Sequence, residues 1–228
     1  MSAKCVNLLF TEFDFSLHGV TSMSVDTHKY GYALKGSSVV LYRNAELRQA
    51  QYFCYADWTG GMYATPTLAG SKSGGMVAQT WASMVSIGEE GYTKHAVDIV
   101  QTARDIADGV REMGPDLVVL GSPLAMMVSF TGREGLNIYR VNDKMRLLGW
   151  HLNSVQSPAA MNICCTVQHV GMADKLLQDL RTCVKQVIEE PFDGKGGTAG
   201  IYGTAATLPV GPVNEMTKVY LDIVYKST

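Results

Sequence analysis

Between Tyr92 and about Met113 the residues His95, Ala96, Ile99, Val100, Ala103, Ile106, Ala107 and Val110 recur at the spacing of one helical face. That pattern predicts a long amphipathic helix ending near "GPD", and no other feature constrains the fold as strongly. Beyond it the order reads strand "DLVVLG", strand "AMMVSF", helix "NIYRVNDKMRLLG", strand "WHLNSVQ", strand "MNICCTV" and helix "GMADKLLQDLRTCVKQVIEE", an α+β module. The stretch "GGTAGIYGTAATLP" reads as loop, and "VNEMTKVYLDIVYKS" as a last helix. The end of the long helix is therefore the expected boundary between a part at 1–113 and a part at 114–228.

Upstream of that helix, "GVTSMSV" and "SSVVLYRN" have the β-branched and apolar character of strands, and they flank the Gly/Tyr-rich loop "DTHKYGYALKG". The region "YADWTGGMYATPTLAGSKSGG" follows neither hydrophobic period and reads as a structured surface loop. Ser71, Ser73 and two glycines then precede "MVAQTWASMVSIG", a helix whose free N-terminal amides attract an anion.

Composition narrows the classes of function. With 228 residues and 46% hydrophobic content, the chain can bury a core. A formal charge of -2 gives no general attraction to nucleic acid or anionic lipid, so any anion site must be local. The five cysteines, Cys5, Cys54, Cys164, Cys165 and Cys183, form no CxxC pair, which fits reduced thiols and argues against zinc. No run is long and apolar enough for a membrane span, and "MSAKCVNLLFTEFD" lacks the apolar core of a secretory signal.

The residue that asks for an explanation is Lys29. A lysine in a buried-looking loop either snorkels to water or is a functional amine whose pKa its surroundings lower. His28 before it, and Tyr30, Gly31 and Tyr32 after it, which let a flat ligand approach the backbone, favour the functional amine. Asp26 is expected to brace the loop by local hydrogen bonds. Lys72 reads equally well as a solvated charge, and Trp58 and Tyr63 either line an entry or pack their own loop. Met126, Met127, Cys164 and Cys165 lie in apolar strand runs and are expected in the core. His95 and His169 have no partners at metal-ligand spacing.

The run "SVDTHKYGYALKG" resembles the Schiff-base lysine motif of pyridoxal-phosphate enzymes of fold type I, in the group II decarboxylase superfamily. Within that superfamily "GVTSMSVDTHKYGYALKGSSVVLYRN", "DWTGGMYATPTLAGSKSGG", "WASMVSIGEEGY" and "GIYGTA" are most similar to the sphingosine-1-phosphate lyases, over almost the whole chain. The resemblance implies an α/β fold: part of the large-domain sheet of fold type I, followed by a small C-terminal α+β domain. It also implies roles. Lys29 would bind pyridoxal 5'-phosphate and then serve as acid and base, and His28 would contact the cofactor phosphate. Ser71 would reach that phosphate from the neighbouring subunit of a homodimer. Lys35 and Tyr202 would line the active site, acting in catalysis or on the substrate's phosphate. Two positions depart from the family pattern: Leu34 stands where proline is usual, and Lys72 where arginine is usual.

The implied reaction is retro-aldol cleavage of a phosphorylated long-chain base to a fatty aldehyde and phosphoethanolamine. Amino-acid decarboxylation is the alternative within the superfamily, and a non-catalytic dimerisation module is the alternative outside it. Lys35 and Lys72 lean toward a phosphate over a carboxylate. The resemblance also places the aspartate for the cofactor's ring nitrogen, and the histidine that stacks on the ring, upstream of this sequence. The chain alone is therefore expected to leave a half-sheet with uncovered apolar faces and to be inactive. By the same resemblance its location is cytoplasmic, or at the endoplasmic reticulum membrane facing the cytosol.

Overall fold

The computed structural model of the chain describes residues 12–190 and 197–226. It divides into two compact units, Met1–Lys94 and His95–Thr228. That division falls within the long helix, while the expected boundary at 113 stands at the helix end.

In the first unit, strands β1 (Ser22–Val25) and β2 (Val39–Tyr42) pair antiparallel, with Ser22 opposite Tyr42 and Val25 opposite Val39. The whole Lys29 loop, 26–38, is thus the connection of a hairpin whose two ends are fixed by strand pairing. Among the described residues β1 and β2 pair only with each other, and Val40 and Leu41 are 51% and 42% exposed. The two strands thus present apolar side chains to water.

Asn44 caps the short helix α1 (Ala45–Gln49) by accepting a hydrogen bond from the Leu47 amide. The Gly/Thr/Pro-rich stretch expected to be loop contains part of a second hairpin, β3 (Phe53–Tyr55) with β4 (Tyr63–Thr65). Cross-strand aromatics hold it. Trp58 meets the Tyr63 ring edge-on at 6.0 Å, and Phe53 lies 6.3 Å from the same ring. Trp58 and Tyr63 therefore pack their own hairpin. The two expected helices on either side of Gly88 form one element, α2 (Gly74–Arg111), broken at Gly88 where φ is 66°.

The second unit builds its core on the predicted helical face. Ile99, Val100, Ala103, Ile106, Ala107 and Val110 of α2 are all buried. The remaining elements are β5 (Leu117–Val119), β6 (Met127–Gly132), α3 (Ile138–Leu147), β7 (Asn153–Val155), β8 (Ala160–Cys164) and α4 (Ala173–Glu189). The strands form one antiparallel sheet in the order β5-β6-β8-β7. Val128 and Phe130 alternate toward the core from β6, as Met161 and Ile163 do from β8. Truncating the Phe130 ring to alanine would cost about 3–5 kcal/mol. Cys165 is buried as expected. Met127, also expected in the core, is 49% exposed, because strand alternation turns it away from the face that carries Val128.

One expectation fails outright. The stretch read as loop at 196–209 contains helix α5 (Gly197–Thr207), followed by α6 (Val210–Tyr225). Its glycines and threonines have weak helix propensity and no amphipathic period. What organises it comes from α3, where the Asp143 carboxylate accepts hydrogen bonds from the Thr198 and Ala199 amides at 2.9 and 3.0 Å.

Candidate active site

The Lys29 loop is held from both sides along its length. The Lys29 amide donates to the Asp26 carbonyl at 3.0 Å, the Tyr32 amide to the Lys29 carbonyl at 3.1 Å, and the Ala33 amide to the Thr27 carbonyl at 3.0 Å. The Thr27 hydroxyl lies 2.9 Å from the Ser37 hydroxyl, which in turn donates to the Leu34 carbonyl. Gly31 sits where any side chain would collide, since an added Cβ would lie 2.5 Å from the Thr27 carbonyl oxygen. Its own carbonyl accepts from the Ser83 hydroxyl at 2.9 Å and the Tyr92 hydroxyl at 2.8 Å. Tyr32, in the left-handed region at φ 56°, stacks on Tyr92 with ring centroids 6.2 Å apart.

The Leu34 main-chain amide finds a specific acceptor in the Gln79 side chain at 2.8 Å. A proline could not make that bond. The bond ties the lysine loop to α2.

Out of this frame projects the amine. Lys29 is 63% exposed, and its Nζ lies 2.8 Å from Asp26 Oδ2. The other Asp26 oxygen accepts from the Ser38 hydroxyl at 2.9 Å. The Lys29 hydrogen bond and then the Ser38 one hold the Asp26 carboxyl below the usual carboxylate range, and Asp26 in turn raises the Lys29 pKa. The sequence reading of Lys29 as an amine of lowered pKa in a buried loop is corrected here. The side chain reaches water, and a carboxylate three residues away stabilises its charged form. Asp26 braces the loop as expected, and in addition it pairs with the amine itself.

His28 is half-buried, and its Nδ1 donates to the Ser37 carbonyl at 2.6 Å. That bond fixes the tautomer and leaves Nε2 as the nitrogen available for another partner. Lys35 lies exposed on the turn before Gly36, and Ser71 lies exposed in the segment leading into α2. The neighbours of Ser71 meet the lysine loop. Lys72 and Ser73, together with Thr27, Ser37 and Ser38, line one groove of about 580 Å³ whose apolar wall includes Met76, Trp81 and Met84.

Tyr202 is on α5, in the second unit, where its ring stacks on Tyr139 of α3 with centroids 5.1 Å apart. The Tyr139 hydroxyl donates to the Val155 carbonyl at 2.8 Å, and burial pushes its pKa up. Lys29, His28, Lys35 and Ser71 thus belong to the first unit and Tyr202 to the second. Sequence reasoning did not find Asp143, Tyr139 or the Ser37–Ser38 pair as supports. The signal for the first two is their i, i+4 spacing, which puts an aromatic ring and a carboxylate on one face of α3.

Among solved structures the chain matches a sphingosine-1-phosphate lyase from Burkholderia pseudomallei with a TM-score of 0.79 and 38% identity, over 95% of this chain and 44% of that one. In sequence it is 47% identical over 214 residues to the sphingosine-1-phosphate lyase of Arabidopsis thaliana, and 40% identical over 216 residues to that of Saccharomyces cerevisiae. Each match covers 93% of this chain. The chain is similar to the C-terminal portion of the sphingosine-1-phosphate lyases. It spans 39% of the length of the plant lyase and 36% of the yeast one. No family model matches it. A glutamate decarboxylase from Lactobacillus brevis, 17% identical with a TM-score of 0.62 over 78% of this chain, shares the fold. Together with the lyase match, that likeness gives the chain the fold of the C-terminal part of the fold type I enzymes of the pyridoxal-phosphate class.

Proposed function

We propose that this chain is the lysine-bearing portion of a carbon–carbon lyase that cleaves a phosphorylated long-chain base, such as sphingosine 1-phosphate, into a fatty aldehyde and phosphoethanolamine. The observation that carries this reading is the position of Lys29, an accessible amine on a doubly braced loop in a chain 47% identical to a lyase of that name.

The residues present fit pyridoxal 5'-phosphate. Lys29 offers a primary amine to water from a loop held in place by the bonds that the Gly31 carbonyl accepts from Ser83 and Tyr92. Lys29 would hold the cofactor through Nζ, whose proton Asp26 stabilises in its absence. His28, with Nδ1 committed to the Ser37 carbonyl, would have its other ring nitrogen to offer to the cofactor phosphate. Ser71 adds a hydroxyl to that phosphate from the second subunit of a homodimer. When bound, the cofactor supplies an electron sink for the pair released as the substrate's Cα–Cβ bond breaks. Lys35 and Tyr202 serve the substrate, the first as a cation for its phosphate and the second as a hydroxyl that takes part in proton transfer.

The test supplies pyridoxal phosphate and a phosphorylated long-chain base to the chain, alone and co-expressed with the preceding portion of a lyase relative, and measures aldehyde release. Release from the paired chains that disappears with Lys29→Ala supports the proposal. Decarboxylation of amino acids by the pair, with no aldehyde formed, overturns it in favour of the other branch of the superfamily.

A further inference from the structure

Helix α5 begins without a capping side chain of its own among the described residues, and its first amides are satisfied from a different helix. Both oxygens of Asp143 on α3 are used, one by the Thr198 amide at 2.9 Å and the other by the Ala199 amide at 3.0 Å. The carboxylate thus sits on the positive end of α5, where charge and hydrogen bonding act together. The close approach requires glycine at 197. Its φ is 62°, and a Cβ there would lie 2.4 Å from Asp143 Oδ2. Ala199 itself is buried, and one turn further along Tyr202 stacks on Tyr139 at 5.1 Å. Tyr139 and Asp143 are one helical turn apart on α3, as Thr198 and Tyr202 are on α5. Two contacts a turn apart therefore fix the shift and rotation of α5 along α3, and with them the direction in which Tyr202 is presented.

We infer that Asp143 is a positioning residue for Tyr202, and that Gly197 is the small residue which permits it. The inference rests on the reading that Tyr202 serves the lyase site, and it adds the residue that determines where that hydroxyl stands. Without the carboxylate, two amides at the start of a helix of weak propensity lose their partners, while the Tyr202–Tyr139 stack and the burial of Ala199 remain among the described residues.

Two measurements on Asp143→Asn and Gly197→Ala separate the inference from the reading beneath it. The first is amide hydrogen exchange on the chain. Exchange at Thr198, Ala199 and the rest of α5 should quicken about tenfold or more in either variant, the size of a lost charged cap, while α3 and α4 keep their protection. Unchanged protection of α5 in Asp143→Asn overturns the inference. The second is aldehyde release by the paired chains. Asp143→Asn should lower kcat as Tyr202→Phe does, with little change in KM, and the double variant should be no slower than Tyr202→Phe alone. Additive losses would mean that Asp143 acts independently of Tyr202 and would also overturn it. If Tyr202→Phe turns over normally, the placement of Tyr202 in the site fails, while the exchange result still decides what Asp143 does.

Discussion

Asp26 and Lys29 form an ion pair of 2.8 Å across a single turn of the loop that joins β1 to β2. The pair has opposite consequences for two roles of the lysine. It fixes the side chain in direction, and it stabilises the protonated amine, which cannot attack a carbonyl carbon. In Asp26→Asn the raised Lys29 pKa should fall back toward the ordinary lysine value, enlarging the neutral fraction at pH 8. Condensation with pyridoxal phosphate should then be faster by roughly a few-fold, the scale of an exposed ion pair. Stopped-flow absorbance from pH 7 to 9 measures this, with the advantage of the variant holding across that range, because both amines are mostly protonated there, and closing only above the raised wild-type lysine pKa.

Gly31→Ala tests the tightness of the same loop. The new methyl would meet the Thr27 carbonyl oxygen at 2.5 Å, a backbone atom that cannot rotate away. The loop must shift, weakening the bonds that the Gly31 carbonyl accepts from Ser83 and Tyr92. A loss of about 1–3 kcal/mol in chemical denaturation is expected, together with slower adduct formation at Lys29.

A titration is expected in the second unit. The Thr166 amide donates to Nδ1 of His169 at 2.9 Å, closing a capping box, and a protonated Nδ1 cannot accept that bond. Burial lowers the His169 pKa below its usual 6.5. The unfolded chain therefore binds this proton more readily than the folded one. The contribution of His169 is complete above about pH 6.5 and declines as the pH falls from there toward the folded-state value. Thermal unfolding between pH 8 and 5 should show a fall in Tm on the acid side that is smaller in His169→Asn.

The parts of this molecule legible in its sequence are those specified by nearby residues. Ile99, Val100, Ala103, Ile106, Ala107 and Val110 declare one helical face by spacing alone, and that face is buried. The lysine loop was legible through its flanking strands and its glycines. Helix α5 was not, because its start is organised by Asp143 from far upstream in the chain. Nor was the charge state of Lys29, since the Gly/Tyr surroundings suggest burial while the side chain extends into water beside Asp26. Met127 was misplaced because an apolar residue at the start of a strand can face either side, and its neighbour Val128 takes the core.

The central claim is that one amine, Lys29, takes up the cofactor, and borohydride reduction followed by peptide mass spectrometry tests it most directly. After the paired chains are incubated with pyridoxal phosphate and reduced, a phosphopyridoxyl group should be found on the peptide containing Lys29 and should be absent from Lys29→Ala. Its appearance on Lys35 or Lys72, or on no peptide of this chain, would contradict the account.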